Sequence, residues 1–211
     1  MTVQGPAVHV AEDASRRQDP VELVQRCAHR GITLATAESL TAGSLSARIA
    51  DVPGASEVLQ GGIVSYSVLV KEEVLEVPRE VLQECGAVDG RVAAYMARGA
   101  ARRCRAQVGV STTGVAGPAP HEGKDVGTVY LGLALHKDTA SRLSLTLPPE
   151  AHPHELDGDW LTGALLLDLA PDDDVDSTRQ HIRDASLEGA LKLTYDLLLT
   201  EPEGIVGTDQ P

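Results

Sequence analysis

Phenylalanine is absent from this chain, tryptophan occurs once, and aromatic residues make up only 2% of it. A core without large rings must be built from Leu, Val and Ala. Cysteine is scarce as well: Cys27, Cys85 and Cys104 are odd in number and far apart, with neither a CxxC pair nor a Cys/His cluster at metal-ligand spacing. That excludes a disulfide framework and a zinc site, leaving reduced thiols and no metal. No run approaches the roughly 18 apolar residues of a membrane span. Residues 1–19 are polar and charged, without the apolar segment of a secretion signal, so a cytoplasmic protein with a loose N-terminal tail is expected.

Basic residues are also in deficit. Eighteen Lys and Arg against 31 Asp and Glu give a formal charge of −13, and such a surface repels a nucleic-acid backbone at long range. A single small phosphate ligand remains compatible, because an arginine pair or a helix N-terminus acts at contact distance. Three nucleotide or hydrolase signatures are missing too. There is no G-x-G-x-x-G after a strand and no G-x-S-x-G elbow. The stretch from Gly117 to Gly123-Lys124 misses the P-loop pattern, with five residues between its glycines and Asp125 after the lysine.

What is present reads as one domain. At 211 residues, with 42% hydrophobic and 23% charged residues, the chain can bury one sizeable core. Order begins near Pro20, where Val21, Leu23, Val24, Cys27 and Ala28 follow helical spacing, Asp19 is placed to cap and Gly31 to stop. Strands are expected at Ile32 to Ala37, Gly61 to Ser67, Val108 to Val110 and Gly127 to Leu135. Helices are expected at Leu40 to Ala50, Val70 to Val77, Pro78 to Cys85 and Asp89 to Arg105. This alternation predicts an α/β layered sheet. Ser141 to Leu147 alternates like an edge strand, whereas the apolar run Trp160 to Leu169 fits helix or strand equally. Asp172, Asp173 and Asp174 read as a solvated acidic loop, and the pair His152 and His154 as solvated rather than metal-bound. A final amphipathic helix over Ser177 to Leu199 and a loose tail over 201–211 complete the reading.

One stretch concentrates the chemistry. Thr33 to Gly43 runs from a short apolar strand into a helical pattern across Glu38 and Ser39. A serine there is either the helix cap or a nucleophile beside free backbone N–H groups. No histidine is placed obviously near it, so a serine nucleophile needs another base. A lysine whose pKa is lowered by burial can serve, and Lys71, on a short helix after a strand, is the candidate.

Six stretches occur in a telling order: Ala37-Glu38-Ser39-Leu40-Thr41-Ala42-Gly43, Asp51-Val52-Pro53-Gly54-Ala55-Ser56, Gly62-Ile63-Val64-Ser65-Tyr66-Ser67 with Lys71, Gly86-Ala87-Val88, Thr113-Gly114-Val115-Ala116-Gly117-Pro118 and Lys124-Asp125-Val126-Gly127-Thr128-Val129. In that order they resemble the CinA C-terminal domain, the nicotinamide mononucleotide deamidase family, over roughly 20–147 and again over 179–199. The resemblance implies a three-layer α/β/α sandwich around a mixed, largely parallel sheet, spanning 20–200. It implies hydrolysis of the carboxamide of nicotinamide mononucleotide to nicotinate mononucleotide and ammonia, with no metal and no cofactor. Larger members carry an N-terminal pyrophosphatase-like domain, for which this chain is too short.

By position, the resemblance makes Ser39 the nucleophile, Tyr66 and Lys71 its proton-handling partners, and Thr113 a hydroxyl of a substrate loop that includes Gly114 and Gly117. It makes Arg179 and Arg183 phosphate-binding residues of the terminal helix, and lets Glu38 either orient Lys71 or close a helix end. The expected partner is a small nucleotide substrate, with no nucleic acid and no membrane; a homo-oligomer such as a dimer is the expected assembly. Departures from the family's usual residues are Leu40 for Cys, Ala42 for Gly, Val68 for Asn, Ala119 to Glu122 for a glycine run, and Asp125 for Pro. Residues 148–176 read as an insertion serving as a lid or an oligomer contact. Two alternatives follow: an inactive member that binds a nucleotide or a protein, or an amidase for a different substrate.

Overall fold

The computed structural model describes residues 19–171 and 175–199, with side chains from 178 onward in the second span. The tail expected at 1–19, apart from Asp19, that expected at 201–211 and the acidic triplet Asp172 to Asp174 lie outside the described residues. Helix α1 (Pro20–Arg30) follows the sequence signals closely. Asp19 Oδ1 accepts from the Val21 N–H at 2.9 Å, and Gly31, at φ 61°, closes the last turn in the left-handed region.

Strand β1 (Leu34–Glu38), helix α2 (Ser44–Ala50), a 3-10 turn (Ala55–Glu57), strand β2 (Leu59–Val64), helices α3 (Val68–Glu73), α4 (Arg79–Cys85) and α5 (Gly90–Cys104) and strand β3 (Val108–Gly114) form the first part. Strand β4 (Thr128–His136), helix α6 (Lys137–Leu143), strands β5 (His152–Pro153) and β6 (Trp160–Asp168) and helix α7 (Val175–Leu199) complete it. The strands form one sheet in the order β2-β1-β3-β4-β6-β5.

The sheet is mixed but not largely parallel. β1 pairs parallel with β2 and with β3, while the β3–β4, β4–β6 and β5–β6 pairings are antiparallel. Helices carry the chain from β1 to β2 and from β2 to β3, so each strand starts again from the same end. The β3–β4 loop contains no helix, and the chain simply reverses.

Two further expectations are corrected or decided here. Ser141 to Leu147 is no strand: it spans the end of α6 and an irregular segment whose Leu145 is buried in the core. Its place beside β4 is taken by Trp160 to Asp168, which pairs with β4 over nine positions from His136↔Trp160 to Thr128↔Asp168. An alternation of Leu with polar residues satisfies a core edge without a ladder partner, so it does not by itself distinguish the two. The stretch read as an insertion therefore supplies β5 and β6, the latter with Leu165 and Leu167 in the core.

Strand parity sets what lies on each face. Leu34, Val108 and Val110 join Leu23 and Val24 of α1, Ile49 of α2 and Leu191 of α7 in one cluster. Ala35 and Ala37 face the other way, onto Val92, Met96 and Ala100 of α5. Helix α5 lies so close to the sheet that a Cβ at Gly109 would stand 1.9 Å from the Ala97 carbonyl oxygen, and one at Gly132 2.3 Å from that of Ala93. Small residues in both layers replace the missing aromatic bulk and keep the interior dense.

Candidate active site

At the C-terminal end of β1 the alternation sends Glu38 and Ser39 to opposite sides. Ser39 is half-buried, and its N–H extends the ladder by donating to the Thr112 carbonyl at 2.9 Å. Its hydroxyl meets the ammonium end of Lys71, whose Nζ lies 2.9 Å from Ser39 Oγ and donates to the Ser65 carbonyl at 2.7 Å. Ser65 is itself held by its N–H donating to the Glu38 carbonyl at 2.8 Å. Lys71 is 1% exposed. Burial pushes its pKa down from 10.5 to about 8, with the Glu122 carboxylate pulling weakly the other way.

Ser39 is not the cap of α2. That helix opens only at Ser44, after a turn in which Ala42 and Gly43 both take positive φ, 52° and 97°. The anion at its N-terminus is Glu38. One carboxylate oxygen accepts from Thr41 Oγ1 at 2.8 Å and from the N–H groups of Gly43 and Leu45 at 2.9 and 3.0 Å. The other accepts from the Ser46 N–H at 2.8 Å, Ser46 Oγ at 2.7 Å and Thr36 Oγ1 at 3.3 Å. Six donors saturate a carboxylate, so of the roles open to Glu38, closing the helix end is the one its contacts describe. It has no acceptor left for Lys71 or a ligand. The N–H groups expected to be free at the helix start are consumed by it.

Among the described residues none of the remaining candidates hydrogen-bonds Ser39 Oγ or Lys71 Nζ. Tyr66 is exposed, and among the described residues its hydroxyl bonds neither Lys71 nor Ser39 but accepts from Arg179 at 3.0 Å. Arg179 also donates to the Gly117 carbonyl at 2.7 Å, tying the β3–β4 loop to the segment after β2. Arg183 donates from Nε to the Leu40 carbonyl at 3.0 Å and more weakly to that of Thr41 at 3.4 Å, gripping the turn that follows Ser39. Thr113 is buried, with its hydroxyl donating to the Ala87 carbonyl at 2.7 Å. Gly114, beside it, has no room for a side chain, since a Cβ would lie 2.7 Å from the Val129 side chain. Val68, expected beside the lysine, is 44% exposed at the start of α3.

A family model described as the CinA C-terminal domain matches residues 18–149. The chain belongs to that family. A CinA-like protein of Frankia casuarinae is 52% identical over 126 residues, 60% of this chain and 28% of that protein. A competence-damage inducible protein of Limosilactobacillus fermentum is 36% identical over 177 residues, 84% of this chain and 36% of the relative. The chain thus spans about a third or less of these relatives. Among solved structures, the competence/damage inducible protein CihA of Agrobacterium tumefaciens is 29% identical, with a TM-score of 0.64 over 85% of this chain and 96% of that one. A CinA superfamily protein of Escherichia coli shares the fold at 24% identity, with a TM-score of 0.69 over 91% and 95% of the two chains.

Within this CinA domain the structure adds site residues that sequence reasoning did not single out. Thr36, Thr41, Ser46 and Thr112 form a hydroxyl network under the turn, with Thr41 Oγ1 and Thr112 Oγ1 2.7 Å apart. Ser65 supplies the lysine's carbonyl partner, and Glu122 Oε2 accepts from the Ala87 N–H at 2.7 Å, folding the β3–β4 loop over the Thr113 anchor. A signal existed: Thr36, Glu38 and Thr112 are polar residues at alternate positions of buried strands, which must find partners. Among the described residues no three His, Cys, Asp or Glu side chains gather as a metal site, and no helix is long and apolar enough to cross a membrane.

Proposed function

We propose that the chain is an amidohydrolase of the nicotinamide mononucleotide deamidase type, with Ser39 as nucleophile and Lys71 as base. The observation that carries this reading is the 2.9 Å contact between Lys71 Nζ and Ser39 Oγ, made by a lysine buried enough for its pKa to fall to about 8. Near neutral pH about a tenth of such lysines are uncharged, against fewer than one in a thousand of ordinary ones. Neutral Nζ takes the proton as Ser39 Oγ bonds to the carboxamide carbon. The ammonium so formed returns that proton to the departing nitrogen, which leaves as ammonia because amide anion is too poor a leaving group. Water, deprotonated by the same lysine, then cleaves the acyl-serine ester to the carboxylate.

The Leu40 N–H follows the nucleophile directly and has no acceptor among the described residues, which suits it to the developing oxyanion. The Ser39–Lys71 contact is direct, so the proton path in this reading needs no relay through Tyr66. Arg179 and Arg183 are held by backbone carbonyls, but each guanidinium keeps further donors for a substrate phosphate. A homodimer belongs to the same proposal, with the exposed apolar side chains Val64, Tyr66, Val68 and Leu69 as the surface a second copy covers; light scattering on the purified chain reads its mass.

The deciding experiment is ammonia release from nicotinamide mononucleotide by the purified protein beside Ser39→Ala. No release above the variant at high enzyme concentration overturns the deamidase reading. Full activity in the variant overturns the serine mechanism.

A further inference from the structure

At the end of the sheet opposite Ser39 a surface cavity of about 460 Å³ opens. It is lined by Arg102 and Arg105 at the end of α5, Gln107 before β3, His136 at the end of β4, Arg142 on α6 and Trp160 at the start of β6. Strand directions place it there: Ser39 follows the C-terminal end of β1, Gln107 precedes the parallel β3, and His136 pairs with Trp160. Its size falls within the roughly 300–1,000 Å³ of small-molecule pockets.

The chemistry of the lining is unusual for this chain. Trp160 is its only tryptophan, and the His136 ring meets it edge-on at 5.0 Å, giving a half-exposed aromatic wall. Arg102 is paired with Glu76 at 2.6 Å. The guanidinium groups of Arg105 and Arg142, exposed and brought in by different elements, have neither an ion pair nor a hydrogen bond among the described residues, in a protein of net charge −13. Helix C-termini attract cations, which accounts for Arg102 and Arg142 one at a time. Arg105 stands at the same end of α5, at φ 55°, a backbone state that glycine or asparagine adopts with less strain. The Asp138 carboxylate at the rim, 94% exposed, is an acceptor suited to sugar hydroxyls.

We propose that this cavity is a second ligand site, separate from Ser39, for a small aromatic anion of the nucleoside monophosphate class. The ring stacks on Trp160, and the phosphate is held between Arg105 and Arg142. Planar guanidinium forks and an indole face are the groups that recognise these two parts.

Because Trp160 is the only indole, its fluorescence reports on this site alone. Titration of the full chain with adenosine monophosphate should change the emission saturably, with a midpoint below about 1 mM. Adenosine should bind at least tenfold more weakly, and inorganic phosphate should leave the emission unchanged. The double variant Arg105→Gln with Arg142→Gln should weaken the nucleotide at least tenfold while keeping its melting temperature, since both side chains are exposed. Arg179→Gln, which removes a guanidinium assigned to the substrate phosphate near Ser39, should leave the midpoint where it was, and an equal weakening in that variant places the nucleotide at the catalytic site and overturns the proposal. No saturable change up to about 10 mM overturns the proposal. So does a midpoint that is the same for adenosine, or the same in a folded double variant; if the double variant does not fold, Arg142→Gln alone supplies that comparison.

Discussion

Lys71 Nζ rests 2.9 Å from Ser39 Oγ across 32 residues of sequence, with its charge removed from water and the Ser65 carbonyl as its other partner. A surface lysine would stay protonated; burial holds this one's proton affinity low, which the proposed serine mechanism requires of its base. Ser39→Ala and Lys71→Met should each lower kcat/KM for nicotinamide mononucleotide by at least about 10³-fold, and combining them should cost little more, because the two act as one unit. Circular dichroism should show both variants folded.

The pH dependence follows from the lowered lysine pKa. In the proposed mechanism the neutral amine is the active form, so kcat/KM should rise about tenfold per pH unit below pH 8 and level off above it. Stability carries the same signature. Between about pH 8 and 10.5 the unfolded chain holds a proton at Lys71 that the folded chain does not, so unfolding free energy should increase with pH across that window. Below pH 8 a constant penalty on the order of 3 kcal/mol persists. Urea melts at several pH values should show this slope in the wild type and lose it in Lys71→Met.

Glu38 is a positioning residue whose loss should be felt in the fold. Glu38→Ala strands the N–H groups of Gly43, Leu45 and Ser46 under the turn that carries Ser39. Destabilisation of about 2–4 kcal/mol is expected in urea unfolding, with Glu38→Gln intermediate because an amide keeps one acceptor.

Arg183 distinguishes two roles by kinetics. Its guanidinium grips the Leu40 and Thr41 carbonyls, so Arg183→Met should lower kcat through misplacement of the Ser39 turn, by about 10²-fold. A purely phosphate-binding arginine would instead raise KM and leave kcat alone. Steady-state measurement of both constants decides between them.

Ala42, which the family resemblance marks as a departure from glycine, sits at φ 52°. That departure is a matter of backbone conformation in the structure. Ala42→Gly should stabilise the protein by about 0.5–1 kcal/mol, the relief of the left-handed state exceeding glycine's entropy cost. Differential scanning calorimetry should show a rise in Tm of about 1–4 °C.

Local signals were legible where local physics decides. Asp19, Pro20 and Gly31 set the limits of α1, and the period-2 and period-3.6 patterns placed β1, β2, β4 and α3 to α5 within a few residues. Strand direction was not legible, because parallel and antiparallel strands share one alternation and only the connection between β3 and β4 turns the sheet antiparallel. Leu143, Leu145 and Leu147 imitated a strand because an irregular segment along the core alternates in the same way, and the continuous apolar run of β6 fits helix or strand.

By itself the sequence determined most of the elements from α1 to β4, the aromatic-poor core, the lack of dinucleotide and P-loop motifs, and the order of motifs that marks the CinA domain. Only the tertiary structure decided which groups meet. It placed a lysine beside a serine, gave the helix N-terminus to Glu38 rather than to a ligand, and set Tyr66 against Arg179 instead of Lys71. The reason is that side-chain type is written locally, whereas burial, and with it the lysine's proton affinity and each donor's partner, is a property of elements brought together from distant parts of the chain.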